Sequence, residues 1–561
     1  MFPHKSGNFA VLALSLFTAG NGFMLPASAA GPPPPDAGQI LKTVPSAIPA
    51  PPASSGTSAL PESTPERPPL KIDDRVQINV KRIVLTGNTL FTREMLLPLV
   101  QDAIGQALTL DALNVLAFRI TQYYRDHGYL LARAYIPTQD ITEGTLEIAV
   151  LEGRYGKIKL ENHSRISDAV LEQMLSRLES GQPIEASPLE RQLLLMSDLP
   201  GALIGSTLQP GTTTGTSDLT VRTDDAPALA GSAGIDNWGN RYTGALRAFV
   251  AADWANPLGL GDRLDLYGMG AERGGTQYGR VAYDLPISGS GTRIGAAYAH
   301  LAYALGLDFS SLQAHGTADI TSLYLSQPLT RSRSANTTLQ FNMDHRALRD
   351  YVDSTAGSDV KEIDAISAGL NGDRRDALGV GTWTTTLTSG RLKLDALTTA
   401  ADLGAYHTAG DYLKFSGAGS QLVPLSGSWS LFGALSGQMA SKNLDMSERF
   451  SMGGPTGVRA YPVGEVMAND ALLGTLELRY TLNEQLQLTG FADAGVARLN
   501  RFQLVTDTRN QRNLSGAGVG ASWTRNPGPA FNTYLAWRTG DPPTSAPDRH
   551  PTAWVQLIQA F

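Results

Sequence analysis

From about residue 231 to residue 561 the chain alternates apolar and polar residues with period two, and this texture constrains the fold more than any other feature. Leu246, Ala248, Val250, Ala252 and Trp254 interleave with Arg247, Phe249, Ala251 and Asp253. Gly279, Val281, Tyr283 and Leu285 interleave with Arg280, Ala282 and Asp284, and Leu476, Leu478 and Tyr480 with Glu477 and Arg479. Successive side chains of a strand point to opposite faces, so each run reads as a strand with one apolar and one polar face. The i, i+3, i+4 spacing of a helix is absent from this half.

A soluble β-sandwich also alternates. Three features favour a membrane barrel. The polar face carries full charges repeatedly, as a water-filled lumen allows. Trp254 and Tyr283 stand at strand ends beside the tight turns Asn256-Pro257-Leu258-Gly259 and Ser288-Gly289-Ser290-Gly291, where an aromatic girdle would lie. The chain closes on Phe561, ending a strand that starts near Trp554. At roughly 20 residues per strand and loop, this half holds about 16 strands, an even number as in bacterial barrels. No later stretch is apolar and long enough for a spanning helix, so a membrane location requires a barrel.

Composition removes several function classes. The chain has no Cys, which excludes disulfide scaffolds, thiolate metal sites and cysteine nucleophiles. Its eight His are scattered, with no H-E-x-x-H pair, and no G-x-S-x-G elbow is present. The run Gly516-Ala517-Gly518-Val519-Gly520 lacks the Lys-Ser/Thr of a phosphate loop and sits in a strand pattern. A net charge of −7 does not suit a chain built to neutralise phosphates, so nucleic acid is not an expected partner. No catalytic residue, metal ligand or cofactor site is expected, and the chain reads as a non-enzyme.

The N-terminus reads as an export signal over residues 1–30. Lys5 precedes an apolar run over 9–17, and Pro26-Ala27-Ser28-Ala29-Ala30 offers a small-residue cleavage site. Residues 31–74 are Pro-, Ala- and Ser-rich and read as an extended linker. Within them, Asp36-Ala37-Gly38-Gln39-Ile40-Leu41-Lys42 can form a helical turn or two, with Asp36 near its N-terminus; plain linker is an equal reading on spacing alone.

Between linker and barrel the texture is α+β. Alternation at Val76, Ile78 and Val80 continues through Ile83-Val84-Leu85. Helical spacing follows over 91–100 and again at Leu110, Leu113, Leu116, Ile120 and Tyr124, ending at Gly128. Strands are expected over 129–136 and 145–151. The order strand, helix, helix, strand, strand then repeats, with strands over 158–160, 202–208 and 219–221 and helices over 166–178 and 188–198. Two copies of one module meet at Glu152-Gly153-Arg154, an internal repeat with no catalytic constellation, which favours binding or scaffolding.

This order resembles the outer-membrane transporters of two-partner secretion, of the haemolysin-secretion and filamentous-haemagglutinin-transporter type. In that family the repeated modules are POTRA (polypeptide-transport-associated) domains. Gly87-Asn88-Thr89 with Phe91, and Gly128-Tyr129 leading into Ala134-Tyr135-Ile136-Pro137, fit a first POTRA domain; Leu189-Glu190-Arg191 and Asp198-Leu199-Pro200-Gly201 fit a second. The resemblance implies POTRA domains over 75–153 and 154–226 and a barrel over 227–561. Gly453-Gly454-Pro455-Thr456-Gly457-Val458-Arg459-Ala460-Tyr461 is similar to the family's sixth extracellular loop, whose tip reads V-R-G-Y/F. Ala460 departs from the usual Gly and removes some backbone freedom. Phe491-Ala492-Asp493-Ala494-Gly495 matches an F-x-D-x-G strand motif.

By this resemblance the loop motif Gly457, Val458, Arg459 and Tyr461 folds into the lumen, and Arg459 pairs with Asp493 on a wall strand that also carries Phe491 and Gly495. Alternation from Leu486 puts Leu488, Gly490, Ala492 and Ala494 toward lipid and Thr489, Phe491 and Asp493 inward. Residues 36–42 become a candidate plug helix. The implied function is a translocation pore whose POTRA domains take an unfolded exported partner, an adhesin or haemolysin with an N-terminal secretion domain, by β-augmentation. Outer-membrane lipid and lipopolysaccharide, periplasmic chaperones and the barrel-assembly machinery are the further partners implied. The alternative within transport is an insertase that assembles barrels; a porin or an outer-membrane enzyme is the reading from another class.

Overall fold

A computed structural model describes residues 34–44, 77–141, 143–504, 509–525 and 528–561. The export signal over 1–30 and most of the Pro-rich linker lie outside the described residues.

The first module begins with a short strand, Ile78–Asn79, paired to Ala107–Leu108. Its main sheet sets Arg82–Thr86 parallel to Thr145–Leu151, which pairs antiparallel with Arg133–Tyr135. The long helix Leu110–Asp126 starts where the Thr109 hydroxyl accepts from the Ala112 amide and stops at Gly128, whose φ of +91° suits glycine. Its stripe of Leu113, Leu116, Ala117, Ile120 and Tyr124 packs on Ile83, Leu146 and Ile148 of the sheet. The helical spacing over 91–100 gives only one α-turn, Arg93–Leu96, followed by 3₁₀ turns, with Pro98 lacking the amide a continued helix needs.

The second module repeats the layout. Arg154–His163 runs parallel to Thr216–Asp225, which pairs antiparallel with Ala202–Pro210, and helices Asp168–Leu175 and Ala186–Ser197 cover the sheet. Glu152 stitches the two modules together. Its carboxylate accepts from the Leu90 amide at 2.7 Å, the Tyr124 hydroxyl at 3.0 Å and Arg154 Nη2 at 3.1 Å, as well as from the Thr89 amide and hydroxyl.

The second module is clamped to turns at one end of the barrel. Asp198 takes both Nε and Nη2 of Arg331 at 2.7 Å. Arg191 donates to the Pro328 and Leu329 carbonyls, Gln192 to the Gly289 carbonyl, and the Ser167 amide to the Gly259 carbonyl.

Among the described residues sixteen antiparallel strands close into a barrel, from Leu229–Asp236 to Thr552–Ala560. The last strand pairs with the first, from Gln556 opposite Asp236 to Ala560 opposite Ser232. Closure leaves no unpaired edge in lipid, the condition for a strand-built membrane protein. Leu476, Leu488, Val496 and Trp429 are exposed on the outer face, whereas Glu477, Phe491 and Asp493 are buried inside. Strands over 314–394 run to 16–20 residues and project beyond the span of about 9–11 that a bilayer needs.

Candidate functional site

Two elements occupy the lumen. The first is the helix Ala37–Leu41, capped by the Asp36 carboxylate, which accepts from the Gln39 amide at 2.8 Å. Ile40 is fully buried against a wall patch that includes Leu301, Ala318, Leu348 and Ile363. Around this small apolar contact lies a ring of polar ones. Lys361 on the wall reaches Asp36 at 2.8 Å, with Asp359 and Asp445 each at 3.3 Å. The Ala37 amide donates to Asp350 and Arg247 to the Thr43 carbonyl. This is the candidate plug of the sequence, seated inside the barrel.

The second element is the connection over 441–469 between strands Trp429–Ala440 and Asp470–Thr481. It turns back into the barrel and forms its own hairpin, Phe450–Met452 with Val466–Ala468. Gly453 and Gly454, with φ of +105° and +85°, make the bend that delivers the tip. The tip Val458, Arg459 and Tyr461 is fully buried or nearly so.

Arg459 makes the densest set of contacts in the lumen. Its Nε donates to Asp493 Oδ2 at 2.8 Å and its Nη2 to Oδ1 at 2.7 Å, a bidentate, charge-assisted pair. Nη1 donates to Glu477 Oε1 at 2.7 Å, and the backbone amide adds a bond to Asp493 at 3.1 Å. The guanidinium lies 3.5 Å over the Phe491 ring, so the plane unused by hydrogen bonds faces an aromatic face. Thr475 holds the second side of Asp493 at 3.0 Å. The Trp554 indole donates to the Arg459 carbonyl at 2.7 Å, and the Tyr461 hydroxyl to the Asp541 carbonyl at 2.7 Å.

The structure therefore brings Val458, Arg459, Tyr461, Phe491 and Asp493 into one cluster. Gly457 and Gly495 act by their missing side chains: a Cβ on Gly457 would strike the Gly453 amide at 2.7 Å, and one on Gly495 would strike Met452 at 2.8 Å. Sequence reasoning missed Glu477, Thr475, Trp554 and a second anchor, Glu465. Glu465 takes Arg512 at 2.7 Å and the amides of Thr544 and Ser545. Alternation with Leu476 and Leu478 puts Glu477 on the polar face, but parity does not say which loop residue meets it. The loop's base is tied the same way, by Glu448 with Arg346 and Lys414.

Plug and loop touch. A Cβ on Gly38 would lie 2.6 Å from the Ser447 amide, so this approach requires glycine, and Gln39 donates to the Gly464 carbonyl at 3.3 Å. Among the described residues no group of His, Asp or Glu is arranged to hold a metal ion.

With this geometry in place, comparison with known proteins is decisive. The model of the haemolysin secretion/activation protein family ShlB/FhaC/HecB matches residues 215–523, more than half of the chain. The chain belongs to this family. A ShlB-type POTRA domain matches residues 78–153. The chain is 26% identical over 483 residues to the heme/hemopexin transporter protein HuxB of Haemophilus influenzae, covering 82% of this chain and 83% of HuxB. It is 26% identical over 415 residues to the outer membrane transporter CdiB of Escherichia coli O6:K15:H31, covering 72% and 69%. The solved structure of CdiB from Escherichia coli superposes with a TM-score of 0.69 at 23% identity, covering 93% of this chain and 95% of that one, a likeness of fold. As a family member the chain is an outer-membrane β-barrel of two-partner secretion with POTRA domains in the periplasm.

Proposed function

We propose that the barrel passes one unfolded exported partner protein to the cell surface, with the POTRA domains receiving it and the plug and loop gating the path. The observation that carries this reading is how the lumen is filled. Both obstructing elements are anchored to the wall by ion pairs and hydrogen bonds, contacts that water can replace; apolar packing adds one short helix for the plug, and Met452, Val458 and Tyr461 against Phe491 and Leu514 for the loop. The plug is followed by about 30 residues of Pro-rich chain, which in extended form can span about 90 Å. That reach lets the helix leave and return without disturbing the POTRA fold.

The loop is the second gate. Arg459 and Asp493 fix its tip against the wall, with Glu465 on Arg512 as a second anchor, so loop position depends on a few buried ion pairs. The first module offers the partner an open strand, Arg82–Thr86, at one sheet edge, and exposed Val115 and Phe118 on its helix. The relatives named for heme/hemopexin, hemolysin and Cdi transport make a large secreted protein the expected cargo. Directionality comes from the cargo folding outside, since the chain has no nucleotide-binding loop. On this reading the chain performs no catalysis.

The test is co-production of the chain with an exported protein encoded beside it, in a Gram-negative host. The partner reaches the medium with the full chain and stays periplasmic when residues 78–153 are removed. Secretion unaffected by that removal rejects POTRA recognition. Rescue of a barrel-assembly defect, with no secretion, identifies an insertase instead.

A further inference from the structure

The outer face of the wall carries a groove of about 1280 Å³ across strands Gly410–Pro424, Trp429–Ala440, Asp470–Thr481 and Leu486–Arg498. Its sides are outward side chains: Phe415, Leu435, Met439, Leu472 and Val496, each between 48% and 61% exposed. Its floor is bare backbone, because outward positions 417, 419, 433 and 437 are all glycine. The register sets Gly417 opposite Gly437, and Gly437 opposite Leu472.

The fold does not need three of these glycines. A Cβ on Gly417 or Gly419 would come no nearer than 3.6 Å to a neighbour, and one on Gly433 no nearer than 4.0 Å, and all three have ordinary backbone angles. The space is thus left open by sequence rather than forced by backbone geometry or packing.

The upper mouth has different chemistry. Outward positions change from apolar to charged at paired positions of two adjacent strands: Leu472 gives way to Asp470, and Val496 to Arg498, which stand opposite each other. A step from apolar to charged on the outer face is what a border between hydrocarbon and headgroups requires. At the mouth, Asp470 accepts from Arg498 Nε at 2.8 Å and from Arg501 Nη2 at 3.0 Å. Two guanidiniums on one carboxylate leave one positive charge, and the Arg498 side chain stays 47% exposed. Arginine forks match phosphate oxygens.

We propose that this groove binds a phosphorylated glycolipid of the outer leaflet, of the lipid A class. Its acyl chains lie along the glycine floor and its phosphate sits on Arg498 and Arg501. The groove exceeds the roughly 300–1,000 Å³ of a site for a drug-sized molecule, which fits a ligand with several chains. The inference is independent of the translocation reading, because the groove faces lipid and not the lumen.

Native mass spectrometry of the full chain in detergent tests it, with three probes: bisphosphorylated hexa-acyl lipid A, the same lipid dephosphorylated, and a neutral phosphatidylcholine. The wild type retains bisphosphorylated lipid A about tenfold more than the other two. Gly433→Phe fills the floor and abolishes that excess, and the double variant R498Q/R501Q reduces lipid A to the level of its dephosphorylated form. Heat-modifiable gel migration reports that each variant is a folded barrel; if Gly433→Phe does not fold, the arginine variant decides. Equal retention of all three lipids by the wild type, or wild-type retention by the folded variants, overturns the proposal.

Discussion

The methyl group of Ala460 sits where a Cβ of Gly516 would be: a side-chain carbon built on Gly516 would lie 2.4 Å from Ala460 Cβ. The loop tip carries Ala where the family pattern has Gly, and the wall strand facing it is bare at that point. The glycine run of this strand has a packing role throughout, since Gly518 admits the Phe491 ring and Gly520 the Tyr534 ring. Gly516→Ala therefore overpacks the socket at about 1–3 kcal/mol. Ala460→Gly in the same chain relieves it. Thermal unfolding of the two single variants and the double variant measures the coupling, with the double variant near wild type.

Removing the Arg459 side chain leaves Asp493 buried without its cation, while Glu477 keeps Arg479 at 2.7 Å. Breaking a buried pair from one side costs about 3–5 kcal/mol, enough to displace the loop tip. Arg459→Ala is expected to insert as a barrel yet abolish partner secretion, and Arg459→Lys to recover little, because a compact ammonium lacks the planar fork that grips both Asp493 oxygens, reaches Glu477 and stacks on Phe491. A cysteine-labelling assay at position 461 reads loop position directly. A tip that stays buried in Arg459→Ala contradicts the gating role.

Lys361 joins plug, wall and loop through Asp36, Asp359 and Asp445. Lys361→Met leaves these carboxylates facing one another, so the plug leaves the lumen. Planar-bilayer conductance should rise to the level of a chain lacking residues 34–44. Unchanged conductance in both variants removes the plug from the gate.

Asp198 and Arg331 clamp the second module to the barrel by two bonds of 2.7 Å. Asp198→Ala is expected to broaden spin-label distance distributions between that module and the barrel, with barrel melting unchanged.

Glu152 provides a pH-dependent joint. Burial opposes its charge, but the Thr89 hydroxyl and the Leu90 and Thr89 amides outweigh burial and hold its pKa below the usual carboxylate value. A lowered pKa stabilises fully above the unfolded-chain value of about 4.3, and the stabilisation is lost as pH falls through the folded value. Glu152→Gln should speed amide exchange over 78–153 at pH 7, equivalent to about 1–3 kcal/mol. The difference from wild type should vanish in acid. A difference that persists below that window excludes the carboxylate as its source.

Much of this architecture is legible locally. Alternation assigns each barrel residue to lipid or lumen because a strand's side chains change face at every step, and neighbouring strands do not alter that parity. The stripe on Leu110–Asp126 and its stop at Gly128 depend on contacts within one module. The strand expected over 129–136 is shorter, Arg133–Tyr135, because only those residues find a partner in Thr145–Leu151.

The pairings between distant segments belong to the tertiary structure alone. Parity puts Glu477 and Asp493 inside the barrel, yet only closure of the first strand on the last brings Trp554 over the Arg459 carbonyl. The seat of residues 36–42 in the lumen, and the glycine groove shared by four strands, depend on register around the whole cylinder. Sequence by itself determined which face each residue takes, since that is a property of one strand. The closed fold decided which faces meet, since register is settled by the packing of all sixteen strands at once.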